Sequence, residues 1–225
     1  MSEHKALIAI VGPSGSGKST SLRNLNPDTT VILDGERKGF PFRGSNKFRI
    51  LPFANPAEHD SQFQLALKTP NVELIVVDSL TKRFEQIKEL CQKCYKGFEI
   101  YGQYSKMVQA TLNQYKNDKC AVAVTSIDDI VELVNVDGST TNKRMMAVDG
   151  KEQRGKIEKE FLLVLFTEPR RNKAGAMEYW FQTNTDGSTT AKTPLEMFTD
   201  QLVPNDLAAV IARAKSYYNG EPKTT

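Results

Sequence analysis

The stretch Gly12-Pro-Ser-Gly-Ser-Gly-Lys18-Ser19 constrains this chain more than anything else in it, because an apolar run, Leu7–Val11, leads straight into it. Its spacing is G-x-x-x-x-G-K-[ST], the Walker A pattern. Glycines let a backbone curl until its N–H groups converge on one anion. A helix starting just behind turns its positive end toward the same point. Both flanks read as required: a strand over 6–11 and the start of a helix over 18–25. The loop Gly12, Pro13, Ser14, Gly15, Ser16, Gly17, Lys18, Ser19 and Thr20 is therefore expected to cradle phosphates. Lys18 would reach the β and γ phosphates and Ser19 would offer a hydroxyl to Mg²⁺, so ATP and Mg²⁺ are the expected ligands.

The remaining pattern gives this loop an α/β setting. Strands are expected over 30–33, 72–77 and 120–125, and helices over 56–67, 81–95 and 103–115. Alternating strands and helices make a mostly parallel sheet with right-handed crossovers. The pattern then changes: a hairpin turns around Asp137 and Gly138, and two further strands flank a basic turn, Arg170–Lys173. The stretch VPNDLAAVIARAKSYY closes as a helix. With 225 residues, 39% of them apolar, one domain over 1–219 with a frayed tail at 220–225 is expected. No run nears the 18 apolar residues of a membrane span. Three cysteines suggest no disulfide framework, and a cytosolic setting fits best. Net charge is only +3, which neither demands nor excludes a nucleic-acid partner.

A phosphate-binding loop also needs an acid on a neighbouring strand. Asp78, ending ELIVVD, is expected to hold Mg²⁺ beside Ser19. The following residue is Ser79 and not the glutamate many such ATPases place there, so the base that orients water must lie elsewhere. Asp34 and Glu36, ending VILDGE, stand in the right region beyond the carboxyl end of a strand. Thr125 and Ser126, ending another strand, are candidate sensors of the γ-phosphate.

Taken together, GPSGSGKS, ILDGERKGFP and LIVVDS resemble the RecA-type recombination ATPases. The stretches GKEQRGKIEKEF and KTPLEMF…VPNDLAAVI are similar to the small bacteriophage ATPases consisting of a RecA core alone, some described as single-strand annealing proteins. The resemblance implies Glu36 as the catalytic glutamate, assembly into homo-oligomeric rings or filaments, and binding of single-stranded DNA by loops facing the assembly axis. Those loops map to 95–103 and 128–156, making Lys143, Arg144, Lys151, Arg154 and Lys156 candidate phosphate contacts. Tyr101 and Tyr104 offer stacking surface, although Tyr104 equally fits a helix core face. Lys192 resembles the late basic residue that reaches a neighbour's γ-phosphate; Arg170 and Arg171 are alternatives.

Two other classes fit the same loop. A small-molecule kinase would use FTEPRRNK as an arginine-rich lid, and a regulatory or packaging module would bind nucleotide and hydrolyse little. Cys91 and Cys94 have half the spacing of a zinc site, yet both are expected on an apolar stripe with Phe84 and Ile87, as core residues.

Overall fold

The computed structural model describes residues 5–134, 136–150 and 153–220. Six strands run parallel: β1 (Leu7–Val11), β2 (Thr30–Asp34), β3 (Arg49–Pro52), β4 (Leu74–Asp78), β5 (Ala121–Ser126) and β8 (Leu163–Arg171). Two antiparallel strands, β9 (Met177–Gln182) and β10 (Leu202–Pro204), extend the sheet on one side. The order is β10-β9-β8-β1-β5-β4-β2-β3. A separate two-stranded arm, β6 (Asp128–Val134) with β7 (Thr140–Met146), leaves the sheet directly after β5.

The central strands β1, β2 and β4 are buried along their whole length, as continuous apolar runs in a sheet covered on both faces must be. One face packs on α1 (Pro56–Leu67), α2 (Leu80–Cys94) and α3 (Glu99–Tyr115), through Phe63, Phe84, Ile87, Val108 and Leu112. The other face carries α4 (Leu207–Tyr218) and the aromatic side of the β2–β3 crossover. Helix starts follow local chemistry: Asn55 accepts from Glu58 N ahead of Pro56, and Asp206 accepts from Ala208 N and Ala209 N.

Several expectations are corrected. The helix expected over 18–25 is a 3-10 segment, Ser19–Asn24, because Pro27 follows at once and Leu25 is already extended. Edge strands β3 and β10 went unpredicted: β3 begins with Arg49, ends with Pro52 and shows no clean alternation. Cys91 is buried as expected, but Cys94 is exposed, because the core stripe steps four residues from Cys91 to Tyr95 instead. Tyr104 is buried on α3 and presents no stacking face, whereas Tyr101 is exposed. FTEPRRNK is largely strand β8 and part of the central sheet, not a lid. The tail after Gly220 lies outside the described residues.

Candidate nucleotide-binding and hydrolysis site

β1 delivers the glycine loop to the carboxyl edge of the sheet, and the strands on either side of it close around that loop. Gly12 N donates to Ser126 O at the end of β5 (3.1 Å). From the other side, Thr167 on β8 donates to Ser16 Oγ (2.6 Å), which donates in turn to Pro13 O (2.7 Å). Gly12 is confined there: a Cβ would lie 1.9 Å from Thr167 Oγ1. Gly15 (φ 75°) and Gly17 (φ 97°) take left-handed backbone, and the ring of Tyr179 covers Gly17.

The loop fits a polyphosphate. Among the described residues, the amides of Gly15, Gly17 and Lys18 have no acceptor. The Lys18 ammonium folds back on Gly12 O (2.7 Å) and Pro13 O (2.8 Å), carbonyls it would exchange for phosphate oxygens. Burial holds the Lys18 pKa below the ordinary lysine value, and the Asp78 charge opposes that shift.

The residues expected to hold Mg²⁺ also converge. Ser19 Oγ donates to Asp78 Oδ2 (2.8 Å), and Thr125 Oγ1 donates to Asp78 Oδ1. Asp78 is buried, which pushes its carboxyl above the usual range against those two hydrogen bonds. A buried acid paired with a serine hydroxyl is a donor set suited to Mg²⁺. Ser126 Oγ turns aside to Thr81 Oγ1 (3.2 Å), so Thr125 alone of the two candidate sensors faces the acid.

The base expected on β2 lies beside this group. Asp34 pairs in register with Asp78, but its Oδ1 accepts from Arg37 N (2.7 Å) and caps the turn. Glu36 instead faces Ser79 and Lys38. Ser79 Oγ donates to Glu36 Oε1 (3.0 Å) while accepting Lys82 N (3.1 Å) at the start of α2. Lys38 Nζ lies 3.5 Å from Glu36 Oε2.

The remaining candidates stand apart. Lys192 bridges by its backbone to Val164, near the start of β8, and its charge neighbours are Glu158 and Glu160. Arg170 and Arg171 extend along the β8–β9 hairpin past the end of β1, and Arg171 Nη1 donates to Gly175 O (2.9 Å). Arg144 is clamped between Asp128 Oδ2 (2.7 Å) and Glu168 Oε1 (2.5 Å) and lies over the Phe166 ring. Arg154 faces Asp129 at 3.7 Å, Lys143 is half-buried and Lys156 is exposed. Lys151 lies outside the described residues.

Sequence reading missed Thr167 and Tyr179. The signal for Thr167 was present: like Thr125, it is the first hydroxyl after a buried apolar run beside β1. Among the described residues no group of His, Cys, Asp or Glu could hold a metal ion by itself, and no helix is long and apolar enough to cross a membrane.

Comparison with known proteins agrees with this geometry. ABC transporter I family member 17 of Arabidopsis thaliana is 57% identical over 35 residues, 13% of this chain. That match spans 13% of the plant protein's length, so it speaks to a local likeness alone. The family described as AAA domain matches residues 4–195. A glycine loop with open amides, a buried acid hydrogen-bonded to the serine behind it, and a match over most of the chain lead to one statement: the protein belongs to the AAA domain family and carries a nucleotide-binding, ATP-hydrolysing P-loop core.

Proposed function

We propose that this chain is a RecA-type ATPase that couples hydrolysis to single-stranded DNA, as a recombination factor promoting annealing or loading. The observation that carries the hydrolytic half is the Ser79–Glu36 hydrogen bond: it holds a carboxylate one residue from the metal-side acid, supplied by the strand next to β4. The likeness of ILDGERKGFP and GKEQRGKIEKEF to small RecA-core ATPases supports the DNA half.

In this reading the loop amides and Lys18 bind the β and γ phosphates. Ser19 and Asp78 hold Mg²⁺, which when bound neutralises charge on the phosphate oxygens. Glu36 orients water in line with the γ-phosphate, and Thr125 registers the γ-phosphate through Asp78. Lys192, or Arg170 on the β8–β9 hairpin, adds positive charge from a neighbouring copy. Lys143, Arg154 and Lys156 position the DNA backbone. Arg144 serves the arm's own root, since its guanidinium already faces Asp128 and Glu168.

The test is ATP turnover with and without single-stranded DNA, with duplex DNA and Lys18→Ala as controls. Several-fold stimulation by single strands alone is the expected result. A rate indifferent to DNA overturns the DNA half and leaves the ATPase.

A further inference from the structure

A chain of contacts leads from the glycine loop to Lys38. Ser19 Oγ donates to Asp78 Oδ2 (2.8 Å), and Ser79 follows Asp78. Ser79 Oγ donates to Glu36 Oε1 (3.0 Å), and Lys38 Nζ stands 3.5 Å from Glu36 Oε2. The turn that carries Glu36 and Lys38 is tightly built. Asp34 Oδ1 accepts Arg37 N (2.7 Å), and Arg37 (φ 54°) and Gly39 (φ 80°) take left-handed backbone on either side of Lys38. A left-handed residue other than glycine is uncommon and needs its surroundings to hold it, as the Asp34 cap does here.

Both oxygens of the Glu36 carboxylate are thereby engaged, one by the Ser79 hydroxyl and the other by the Lys38 ammonium. A carboxylate that orients water needs an oxygen free to accept from it. The two partners differ in how easily they leave. Ser79 is buried, and its hydroxyl also accepts Lys82 N (3.1 Å) at the start of α2. The Lys38 side chain is 68% exposed on a flexible four-carbon stem, and its gap to the carboxylate is wider than an ordinary hydrogen bond. An exposed pair of this kind is weakly held. Lys38 is the partner that yields.

Charge decides where Lys38 goes. Burial lowers the Lys18 pKa, the charges of Asp78 and Asp128 oppose that, and the charge of Lys38 adds to it ahead of the opposing charge of Glu36. The two ammonium groups thus share one field, on the side of the loop where Asp78 and Glu36 stand. A triphosphate held by Lys18 brings more negative charge to that side than one carboxylate does, and a diphosphate lacks the phosphate that extends there. Lys18 makes the same kind of exchange, since its ammonium rests on Gly12 O and Pro13 O, carbonyls that a phosphate would replace.

We infer that Lys38 is a γ-phosphate ligand supplied from within the same chain, and that its move from Glu36 to the triphosphate releases Oε2 to accept from the attacking water. The second part rests on Glu36 as the base of the proposed function. The move gives the site a cation of its own for the charge that develops on the γ-phosphate. It also readies the base only when a third phosphate is present. With the loop empty or holding a diphosphate, Glu36 stays pinned between Ser79 and Lys38.

The experiment is titration calorimetry of the full chain with ADP and with AMP-PNP, a triphosphate that resists hydrolysis, each with Mg²⁺, beside steady-state turnover of ATP. The variants are Lys38→Ala, Lys38→Arg and Glu36→Gln, with thermal midpoints confirming folding. Lys38→Ala is expected to weaken AMP-PNP binding about 10- to 100-fold, to leave ADP binding unchanged and to lower kcat. Lys38→Arg should recover most of the AMP-PNP affinity. Wild-type affinity of Lys38→Ala for both nucleotides overturns the proposal. So does an equal loss for both, which would mark a general effect on the loop. Faster turnover by Lys38→Ala overturns it in favour of a restraint on Glu36 alone. If Glu36→Gln turns over like wild type, the base reading and the release of Oε2 fall together, while the two affinities still decide the γ-phosphate contact.

Discussion

Ser79 Oγ donates to Glu36 Oε1 at 3.0 Å, joining the residue after the buried acid that ends β4 to the carboxylate beyond the end of β2. Ser79 also accepts Lys82 N and so starts α2, fixing its hydroxyl from both sides. Glu36→Gln should lower kcat about 10²- to 10⁴-fold while leaving nucleotide binding intact. Ser79→Ala should lower kcat roughly tenfold at unchanged KM, as expected of a positioning residue, and Ser79→Thr should recover it. Steady-state kinetics on the three variants checks this.

Asp78 is buried, and burial raises its pKa. A carboxyl raised in the folded state binds more protons there than in the unfolded chain, so its contribution to stability falls as pH rises above its ordinary 3.8. The cost grows as pH climbs through the raised pKa. Asp78→Asn should therefore raise the nucleotide-free melting temperature by a few degrees, about 2–4 °C per kcal/mol for a chain of this size. The same substitution should abolish Mg²⁺-dependent turnover. Calorimetry and an ATPase assay read the two effects separately.

Gly12→Ala should abolish nucleotide binding, because the new Cβ would meet Thr167 Oγ1 at 1.9 Å and Ser16 Oγ at 2.9 Å. Thr167→Ala removes the closer atom and leaves Thr167 Cβ at 3.2 Å. In a double-mutant cycle the pair should therefore bind better than Gly12→Ala alone. Equilibrium titration with a fluorescent ATP analogue checks the sign of the coupling.

His59 is fully buried, with Nε2 at 2.8 Å from Tyr115 Oη and Nδ1 at 3.0 Å from Asp60 Oδ1. Burial lowers its pKa below 6.5, and the Arg83 charge adds to that while Asp60 opposes it. The unfolded chain then binds the extra proton first, so stability is complete above pH 6.5 and is lost as pH falls below it. The melting temperature should drop between pH 7.5 and pH 5.5, and His59→Gln should flatten that slope from a lower starting point.

Reading the sequence served best where one local rule decided the outcome. The loop Gly12–Thr20, the buried runs of β1, β4 and β5, and the arm's turn at Asp137-Gly138 each follow from spacing alone. The preference for Glu36 over Asp34 rests on the resemblance, because nothing local in the sequence separates the two; the structure adds that Asp34 caps its own turn at Arg37 N. Strands β3 and β10 escaped because an edge strand need not alternate, and each acquires its state from a neighbour, β2 or β9. Arg144 was misjudged as a loop cation for the same reason: its partner Glu168 is 24 residues away and came alongside only when the arm folded down on β8.

One residue, Ile127, separates the strand carrying Thr125 from the arm. Its amide is held by Thr81 Oγ1 at 2.9 Å, and its carbonyl accepts Ala147 N at 2.9 Å, so the joint has almost no slack. Three residues further on, Ile130 lies opposite Arg144, which ties the arm to Ser188 and Glu168, so the base of the arm is held from both strands. Only residues 131–134 of β6, about 13 Å at ordinary strand rise, project beyond that clamp. A shift at the carboxyl end of β5 would therefore be carried into the clamped base of the arm instead of being absorbed at the joint.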